Sequence, residues 1–326
     1  MKSRLIVNPV SGTDSAPDYL QTINERLRAS VGEMDIVMTV GPSDAGEAAE
    51  EAARDGGYDR LFVAGGDGTL NEVLNGVARV AGALARITFG LIPLGTGNDF
   101  AAALGLPENV EEAVSILLAG RAVEADVGVL NERRFVNVSA GGFIAEVSDA
   151  VNPQLKSIAG KLAYLVGGAQ VLFDYEPVRA RITAVGGGES AAGAARELDL
   201  QMFAVCNSRL VGGGRLIAPG ALIDDGLLDV CLVGAMPTLE FVGLLTRVSG
   251  GEHVEDERVQ YFRTPSLDIE FARAIKVNTD GEVLETTTCR YTVEPRAAHF
   301  LAGDAPYAAA TRTAASSEGS TASSKQ

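Results

Sequence analysis

The chain has 326 residues, of which 46% are hydrophobic and 21% charged, which is enough for one large core or two smaller ones. Its formal net charge of −16 argues against nucleic acid as the main partner, because phosphate backbones bind to basic surfaces. The three cysteines, Cys206, Cys231 and Cys289, form no CxxC pair, so we expect reduced thiols in a cytoplasmic protein rather than a disulfide framework.

The first 130 residues alternate β-branched runs with helical periodicity. Strands are predicted at residues 4–10, 35–40, 61–64 and 87–93. Helices are predicted around residues 20–27, 44–56, 70–77 and 110–118. This β-α-β-α alternation predicts a parallel sheet with helices on both faces.

From about residue 130 the pattern changes to short strands with glycine-rich connections. Strands are predicted at residues 134–139, 178–185, 198–207, 227–233, 267–271 and 275–280. Only two helices are predicted, near residues 157–173 and 238–248. The first of these is too short and too interrupted for a bilayer span, and we expect it to pack into a core. The pattern indicates a second, mainly antiparallel β domain, followed after about residue 304 by a disordered tail.

Three glycine-rich loops follow the predicted strands one, three and four, at residues 8–12, 65–72 and 93–100. Glycine lets backbone amides approach an anion, and the helix after the second loop directs its free N–H groups toward that loop. Thr69 and Thr96 add hydroxyl donors, and Asp67 can contact a metal ion. Each loop alone is explained as a tight turn, but three on successive strand ends favour a ligand site.

The loops match neither of two common nucleotide fingerprints. Gly160-Lys161 is followed by leucine and has no glycine five positions before Gly160, which excludes a Walker P-loop. Asn71 and Phe100 stand where a dinucleotide fingerprint needs its third glycine, which argues against an oxidoreductase.

The motifs GGDGTLNE at 65–72 and PLGTGNDFA at 93–101, with NPVSG upstream, resemble the diacylglycerol kinase catalytic-domain family, in its soluble bacterial and archaeal lipid kinase branch. GGDGT alone is shared with the wider NAD kinase-like superfamily. The resemblance continues through EADVGVLN at 124–131, GGGRLIAPGALIDDGLLDV at 212–230 and NTDGE at 278–282.

The resemblance implies two domains with ATP in the cleft between them. An NAD-kinase-like α/β domain would span residues 1–129 and be completed by about residues 290–304. A β-sandwich domain at 130–289 would hold the lipid-acceptor site and a structural metal, and residues 305–326 would be the disordered tail.

The resemblance also assigns the nucleotide-binding positions. They are Asn8, Ser11, Gly12, Thr39, Gly65, Gly66, Asp67, Gly68, Thr69, Asn71, Glu72 and Thr96. The family usually carries a basic residue or two after Gly12, but Thr13 and Asp14 follow here, so this loop supplies no cation for the phosphates.

Two residues are assigned to catalysis by the resemblance, Glu282 as the general base and Asp67 beside the phosphates. A carboxylate can accept the proton of a lipid hydroxyl that attacks the γ-phosphorus. The plainer interpretation of Glu282 is an exposed residue beside an Asp-Gly hairpin turn.

The resemblance further implies two Mg²⁺ sites. Asp99 and Asp126 would join Asp67 in a network of carboxylates and water around Mg–ATP. Asp225, with the main-chain carbonyls of Leu222 and Leu227, would hold a structural Mg²⁺. The alternatives are that Asp126 caps backbone amides at a strand end and that Asp225 lies in a solvated acidic turn.

The function implied is a lipid kinase that transfers the γ-phosphate of ATP to a membrane lipid such as diacylglycerol. We expect cytoplasmic location, transient peripheral contact with a membrane and no nucleic-acid partner; a homodimer is one open oligomeric state. The alternatives are an NAD kinase-like enzyme acting on a soluble substrate and a catalytically silent nucleotide-binding regulator. The presence of Asp67, Asp225 and Glu282 argues against the regulator.

Overall fold

The computed structural model describes residues 2–12, 16–150, 175–186 and 195–304. The helix expected at residues 157–173 and the tail expected at 305–326 lie outside the described residues. None of the described helices is long and apolar enough to cross a bilayer.

The N-terminal region is an α/β domain with a parallel sheet, as the sequence predicts. Its elements are β1 (Lys2–Val7), α1 (Ala16–Val31), β2 (Glu33–Met38), α2 (Asp44–Asp55), β3 (Tyr58–Gly65), α3 (Asp67–Ala78), α4 (Ala83–Arg86), β4 (Thr88–Pro93), α5 (Asp99–Ala103) and α6 (Val110–Ala119). The parallel strands lie in the order β4-β3-β1-β2.

The helices of this domain cover both faces of the sheet. The connection from β1 to β2 crosses the sheet in one direction, and the connection from β2 to β3 crosses it in the opposite direction. Because both crossovers are right-handed, α1 and α2 lie on opposite faces of the sheet. In agreement, α1 packs on α6 and α2 packs on α3. The α2–α3 contact is close because Gly46 and Gly76 meet there; a Cβ at Gly76 would lie 2.1 Å from the Gly46 carbonyl oxygen.

Among the described residues, the second region consists of antiparallel strands with two α-helices and two short 3-10 helices, Val248–Gly250 and Glu252–Glu255. Its elements are β5 (Ala122–Leu130), β6 (Arg133–Phe135), β7 (Val138–Gly142), α7 (Phe143–Ala150), β8 (Val178–Val185), β9 (Arg196–Cys206), β10 (Leu210–Val211), β11 (Arg215–Leu216), β12 (Leu228–Gly234), α8 (Thr238–Arg247), β13 (Val259–Thr264), β14 (Ser266–Thr279) and β15 (Glu282–Leu301). Two hydrophobic clusters form here, one around Phe135, Phe203 and Tyr291 and the other around Phe143 and Phe241.

The long strand β15 connects the two regions. It pairs antiparallel with β14 and β5, and its end pairs in parallel with β4 of the first sheet. Phe300 at this end packs against Phe89 and Phe100, with ring centroids 5.3 and 4.9 Å away. The register of β15 against β5 shifts between Glu294 and Ala298, where Arg296 adopts a positive φ. The two regions therefore share one continuous sheet, a feature that local periodicity does not predict.

Candidate active site

The three glycine-rich loops meet at the carboxyl edge of the parallel sheet. The Asn8 side-chain amide donates to the Thr69 hydroxyl at 3.1 Å, and the Gly66 N–H donates to the Ser11 hydroxyl at 3.2 Å. The Leu94 N–H donates to the Gly65 carbonyl at 3.0 Å. Because β1, β3 and β4 are parallel neighbours, their ends lie side by side, and the loops form one continuous surface.

Three glycines of these loops, Gly12, Gly66 and Gly95, are constrained by contacts between the loops. A Cβ at Gly95 would lie 2.5 Å from the Cα of Gly66, and a Cβ at Gly12 would lie 2.1 Å from the Leu94 carbonyl oxygen. Gly68 differs, since an added Cβ there would meet nothing within 4 Å. Gly68 therefore leaves open space at the start of α3, where a ligand can approach the backbone.

Helix α3 begins at Asp67, three residues earlier than the apolar periodicity indicates. Its first intrahelical hydrogen bond runs from the Leu70 N–H to the Gly66 carbonyl, so the preceding N–H groups have no partner within the helix. Thr39 lies at the same sheet edge, buried, with its N–H on the Val7 carbonyl. Thr96 is exposed in the third loop. A helix N-terminus beside open space suits an anion such as phosphate.

Asp67 ties the second loop to the third loop and to the segment between β6 and β7. Its carboxylate accepts the N–H groups of Asp99 and Phe100, each at 3.1 Å, at the start of α5. It also accepts the side-chain amide of Asn137 at 3.0 Å. Asp67 thus caps α5, and further lone pairs on its two oxygens are left for water or a cation.

Asp99 joins the α/β domain to the β10–β11 turn. Its buried carboxylate accepts the Gly213 N–H at 3.1 Å and the Gly214 N–H at 2.8 Å. Gly212, Gly213 and Gly214 all have positive φ, a conformation that three consecutive non-glycine residues would not adopt. Burial raises the pKa of Asp99 above its ordinary value, although these N–H groups and their neighbour lower it.

Asp126 contacts a different group of residues from Asp67 and Asp99. Its fully buried carboxylate accepts the Gly226 N–H at 2.6 Å and the Arg296 N–H at 2.7 Å. Burial raises its pKa, and repulsion from Asp225 and Asp224 adds to the increase. The contacts of Asp126 match its interpretation as a cap of backbone amides, and they place it against the loop that contains Asp225.

The Asp225 loop has an excess of negative charge. One Asp225 oxygen accepts the Leu227 N–H at 3.1 Å, and the other lies 3.5 Å from the Arg263 guanidinium. Burial raises the pKa of Asp225 as well. Three or more acidic, His or Cys side chains in a metal-binding arrangement occur nowhere among the described residues. A cation here would need main-chain oxygens beside the carboxylate, a donor set that suits a hard ion such as Mg²⁺.

Glu282 follows a two-residue hairpin turn between β14 and β15. The turn residues Asp280 and Gly281 have φ values of 46° and 95°, and Thr279 pairs with Glu282 across the hairpin. The Glu282 side chain is about one-third exposed and forms an ion pair with Arg133 of β6. Glu282 therefore faces a charged partner and is not a free surface carboxylate.

The chain matches two domain families. The diacylglycerol kinase catalytic domain matches residues 2–130, and the YegS C-terminal NAD kinase beta sandwich-like domain matches residues 137–302. The Bacillus subtilis (strain 168) diacylglycerol kinase is 32% identical over 86% of this chain and 89% of its own length. The Staphylococcus carnosus (strain TM300) diacylglycerol kinase is 34% identical over 86% of this chain and 88% of its own.

This chain belongs to the diacylglycerol kinase family. A crystal structure named "putative diacylglycerol kinase", from Bacillus anthracis str. Sterne, has a TM-score of 0.77 and 29% identity, and covers 93% of this chain and 97% of its own. The prediction of an α/β domain with a β-sandwich domain is confirmed, as is the prediction of a lipid kinase. A kinase of this family takes ATP as phosphoryl donor and a lipid as substrate.

The sequence analysis of this diacylglycerol kinase family member missed Asp280. The Asp280 carboxylate is buried and accepts the N–H groups of Val136, Asn137 and Val138 at 2.8, 3.2 and 2.9 Å. It also accepts the Asn71 side-chain amide at 3.4 Å. Burial raises its pKa to about 6, against the lowering effect of the three N–H groups. Asp280 thus fixes the hairpin that carries Glu282 to α3; the available signal was the Asp-Gly pair itself.

Asn137 and Asp229 were also missed by the sequence analysis. Asn137 donates to Asp67, while its side-chain oxygen is buried without a hydrogen-bond partner. Asp229, in β12 beyond the Asp225 loop, accepts the Tyr261 hydroxyl, and its other oxygen is buried without a partner. Asn137 lies outside the quoted motifs, and Asp229 lies within the segment 212–230 with no role assigned to it, because only the fold brings each side chain to its partner.

Asp229 should make the stability of this kinase depend on pH. Burial raises its pKa to about 6, so the stability contributed by its protonated form is lost as pH rises through that value. D229N keeps an acceptor for the Tyr261 hydroxyl and does not titrate. Between about pH 5.2 and about pH 7.5, the free energy of unfolding of the wild type should fall by about 1 kcal/mol relative to D229N.

Urea denaturation of both proteins at these two pH values, above the sequence pI of 4.6, measures this difference. A stability difference that is the same at both pH values would show that the Asp229 carboxyl titrates alike in the folded and unfolded chain.

Proposed function

We propose that this protein transfers the γ-phosphate of ATP to a hydroxyl group of a membrane lipid, with diacylglycerol or a related glycerolipid as acceptor. The observation that carries this proposal is the single surface formed by three glycine-rich loops beside the hairpin of Glu282. The relatives named diacylglycerol kinase support the choice of acceptor.

ATP would bind across the carboxyl edge of the parallel sheet. Its phosphates would lie at the start of α3, where Gly68 leaves space and the first helical N–H groups lack intrahelical partners. The residues proposed to contact the nucleotide are Asn8, Ser11, Gly12, Thr39, Gly65, Gly66, Asp67, Gly68, Thr69, Asn71, Glu72 and Thr96. Those in the three loops are held together by the hydrogen bonds described above, which favours a preformed site.

Glu282 would act as the general base. The lipid oxygen attacks the γ-phosphorus, its proton passes to the Glu282 carboxylate, and the bond from the γ-phosphorus to the bridging oxygen of ADP breaks. Asp280 positions Glu282, because four hydrogen bonds hold the hairpin two residues before it. The products are a phosphorylated lipid and ADP.

The carboxylates fit two roles for Mg²⁺. Asp67 and Asp99 lie at the phosphate loops and would hold water around Mg–ATP, and Asp126 would extend this network toward the Asp225 loop. Asp225, with the main-chain carbonyls of Leu222 and Leu227, would hold a structural ion. Burial and neighbouring carboxylates raise the pKa values of Asp126 and Asp225, so a bound cation would favour their ionised forms. Bound Mg²⁺ would neutralise charge on the phosphates.

The lipid acceptor implies transient contact with a membrane surface, where the protein would be peripherally associated from the cytoplasm. The oligomeric state, including a homodimer, stays a prediction. The net charge of −16 means that this contact would be local and apolar rather than a general attraction to anionic lipid.

Incubation of the purified protein with γ-labelled ATP, Mg²⁺ and a total lipid extract tests the proposal. We expect one labelled lipid, identified by mass spectrometry, whose formation needs Glu282. NAD as acceptor in a parallel reaction tests the soluble-substrate alternative. Labelled, phosphorylated NAD without labelled lipid would overturn the proposal in favour of that alternative. No labelled product in either reaction would favour a silent nucleotide-binding regulator.

A further inference from the structure

The phosphate-facing loops of this protein contain no basic residue. Residues 8–12, 65–72 and 93–101 include neither lysine nor arginine, and they carry the carboxylates Asp67, Glu72 and Asp99. Asp280 adds a further buried carboxyl next to Asn71. A nucleoside triphosphate would therefore meet negative side chains, and the helix N-terminus compensates only in part. Besides Mg²⁺, a positively charged side chain for its terminal phosphate has to come from another element.

Arg133 lies on β6, a strand that is held against α3. The carbonyl of the next residue, Arg134, accepts the side-chain amides of Asn71 and Asn75 at 3.1 and 2.9 Å. These bonds fix β6 against the second turn of α3, the helix whose start faces the phosphates. The Arg134 side chain pairs with Glu294, so the two neighbouring guanidinium groups have separate partners.

The partner of Arg133 is the proposed base itself. Glu282 and Arg133 form an ion pair, and their side chains are 32% and 35% exposed, so the pair borders solvent. Asn71 contacts both Asp280, two residues before Glu282, and the carbonyl that follows Arg133. Both members of the pair are thus held near the same turn of α3. The Arg133 side chain is partly removed from water, and this burial lowers the pKa of its guanidinium.

We propose that Arg133 is a phosphate-binding residue that exchanges Glu282 for the γ-phosphate when Mg–ATP binds. This inference rests on the proposed function. In the nucleotide-free protein the Arg133 guanidinium is paired with the Glu282 carboxylate. Once the guanidinium binds the γ-phosphate instead, the carboxylate can accept the proton of the lipid hydroxyl. The base then becomes available only when the phosphoryl donor is in place. Arginine suits this role because its planar fork binds carboxylate and phosphate alike.

Nucleotide binding without lipid tests the exchange. Titration calorimetry with Mg²⁺ and either ADP or a non-hydrolysable ATP analogue gives the Kd of each nucleotide for wild type, R133Q, E282Q and the double variant. R133Q should weaken analogue binding about tenfold or more and ADP binding much less, because only the analogue carries a γ-phosphate. R179Q, which removes an exposed arginine paired with Glu197, is the matched control and should bind as wild type does.

E282Q separates the exchange from simple phosphate binding. It removes the carboxylate that competes for Arg133, so analogue binding should tighten about two- to fivefold. The same substitution in the R133Q background should give no gain. A gain of equal size in both backgrounds would mean direct repulsion between Glu282 and the phosphates, and would overturn the exchange.

Equal analogue affinity in wild type and R133Q would overturn the phosphate-binding role, while the proposed function would stand. Failure of wild type to bind any nucleotide would instead overturn the proposed function. If R133Q does not fold, R133K keeps the charge without the planar fork. R133K should bind the analogue measurably but more weakly than wild type does. An affinity equal to that of wild type would count against the proposal.

Discussion

E282Q should lower the kcat of lipid phosphorylation by about 100-fold or more, the usual contribution of a positioned general base. Glutamine has nearly the shape of glutamate but cannot accept the proton of the attacking hydroxyl. The hairpin is held by Asp280 rather than by Glu282, so the fold and nucleotide binding should survive. The initial rate of labelled lipid formation, measured at saturating ATP and lipid, gives this value.

E285Q is the matched control for this experiment. Glu285 lies on the same strand, three residues further on, and is exposed. Alternation along β15 places its side chain on the opposite face from Glu282. E285Q should retain the wild-type kcat. An E282Q rate within about fivefold of wild type would assign the proton acceptor to another group, since loss of the base costs far more.

D280N should lower the free energy of unfolding by about 2–4 kcal/mol, because it places a side-chain NH₂ group against buried backbone N–H groups. One Asp280 oxygen accepts from Val136, Asn137 and Asn71, and the other accepts from Val138. Asparagine keeps one acceptor and tolerates the φ of 46°, but its NH₂ group must face an N–H. Because Glu282 depends on this hairpin, kcat should fall as well, with a smaller change in the KM for ATP.

N278A tests whether any loss of a hairpin hydrogen bond has the same effect. The Asn278 side chain accepts the Gly281 N–H in the same turn, at a site that solvent reaches. Water can replace this acceptor, so we expect a loss of about 1 kcal/mol or less in chemical denaturation. Equal destabilisation by D280N and N278A would show that the burial of Asp280 does not determine how much unfolding free energy is lost.

The α/β domain could be predicted because its signals are local. Apolar strands bounded by glycine-rich turns and helices with one apolar face each arise from neighbouring residues. The glycine loops lie at one sheet edge because parallel strands end on the same side. The start of α3 was misplaced by three residues, since Asp67 and Gly68 belong to its first turn without contributing to an apolar face.

The candidate site was only partly accessible to the same reasoning. Loop chemistry marked Asp67 and the family resemblance marked Asp99, yet their hydrogen bonds to Asn137 and to the 212–214 turn cross large sequence separations. The glycines of the loops were expected to admit a phosphate. The structure shows that Gly12, Gly66 and Gly95 are required by contacts between loops, whereas the space at Gly68 is open to a ligand.

The glycine-rich loops at the strand ends predicted an anion-binding site by themselves, because their backbone amides are local features of the chain. The class of chemistry, lipid phosphorylation, came from the resemblance of the motifs to a known family. The sequence could not determine that Asp280 is buried, that Arg133 pairs with Glu282 or that Asp126 faces the Asp225 loop. These contacts join residues 100 or more positions apart. They depend on strand register and on which carboxylates lose water, and only the tertiary structure decides both.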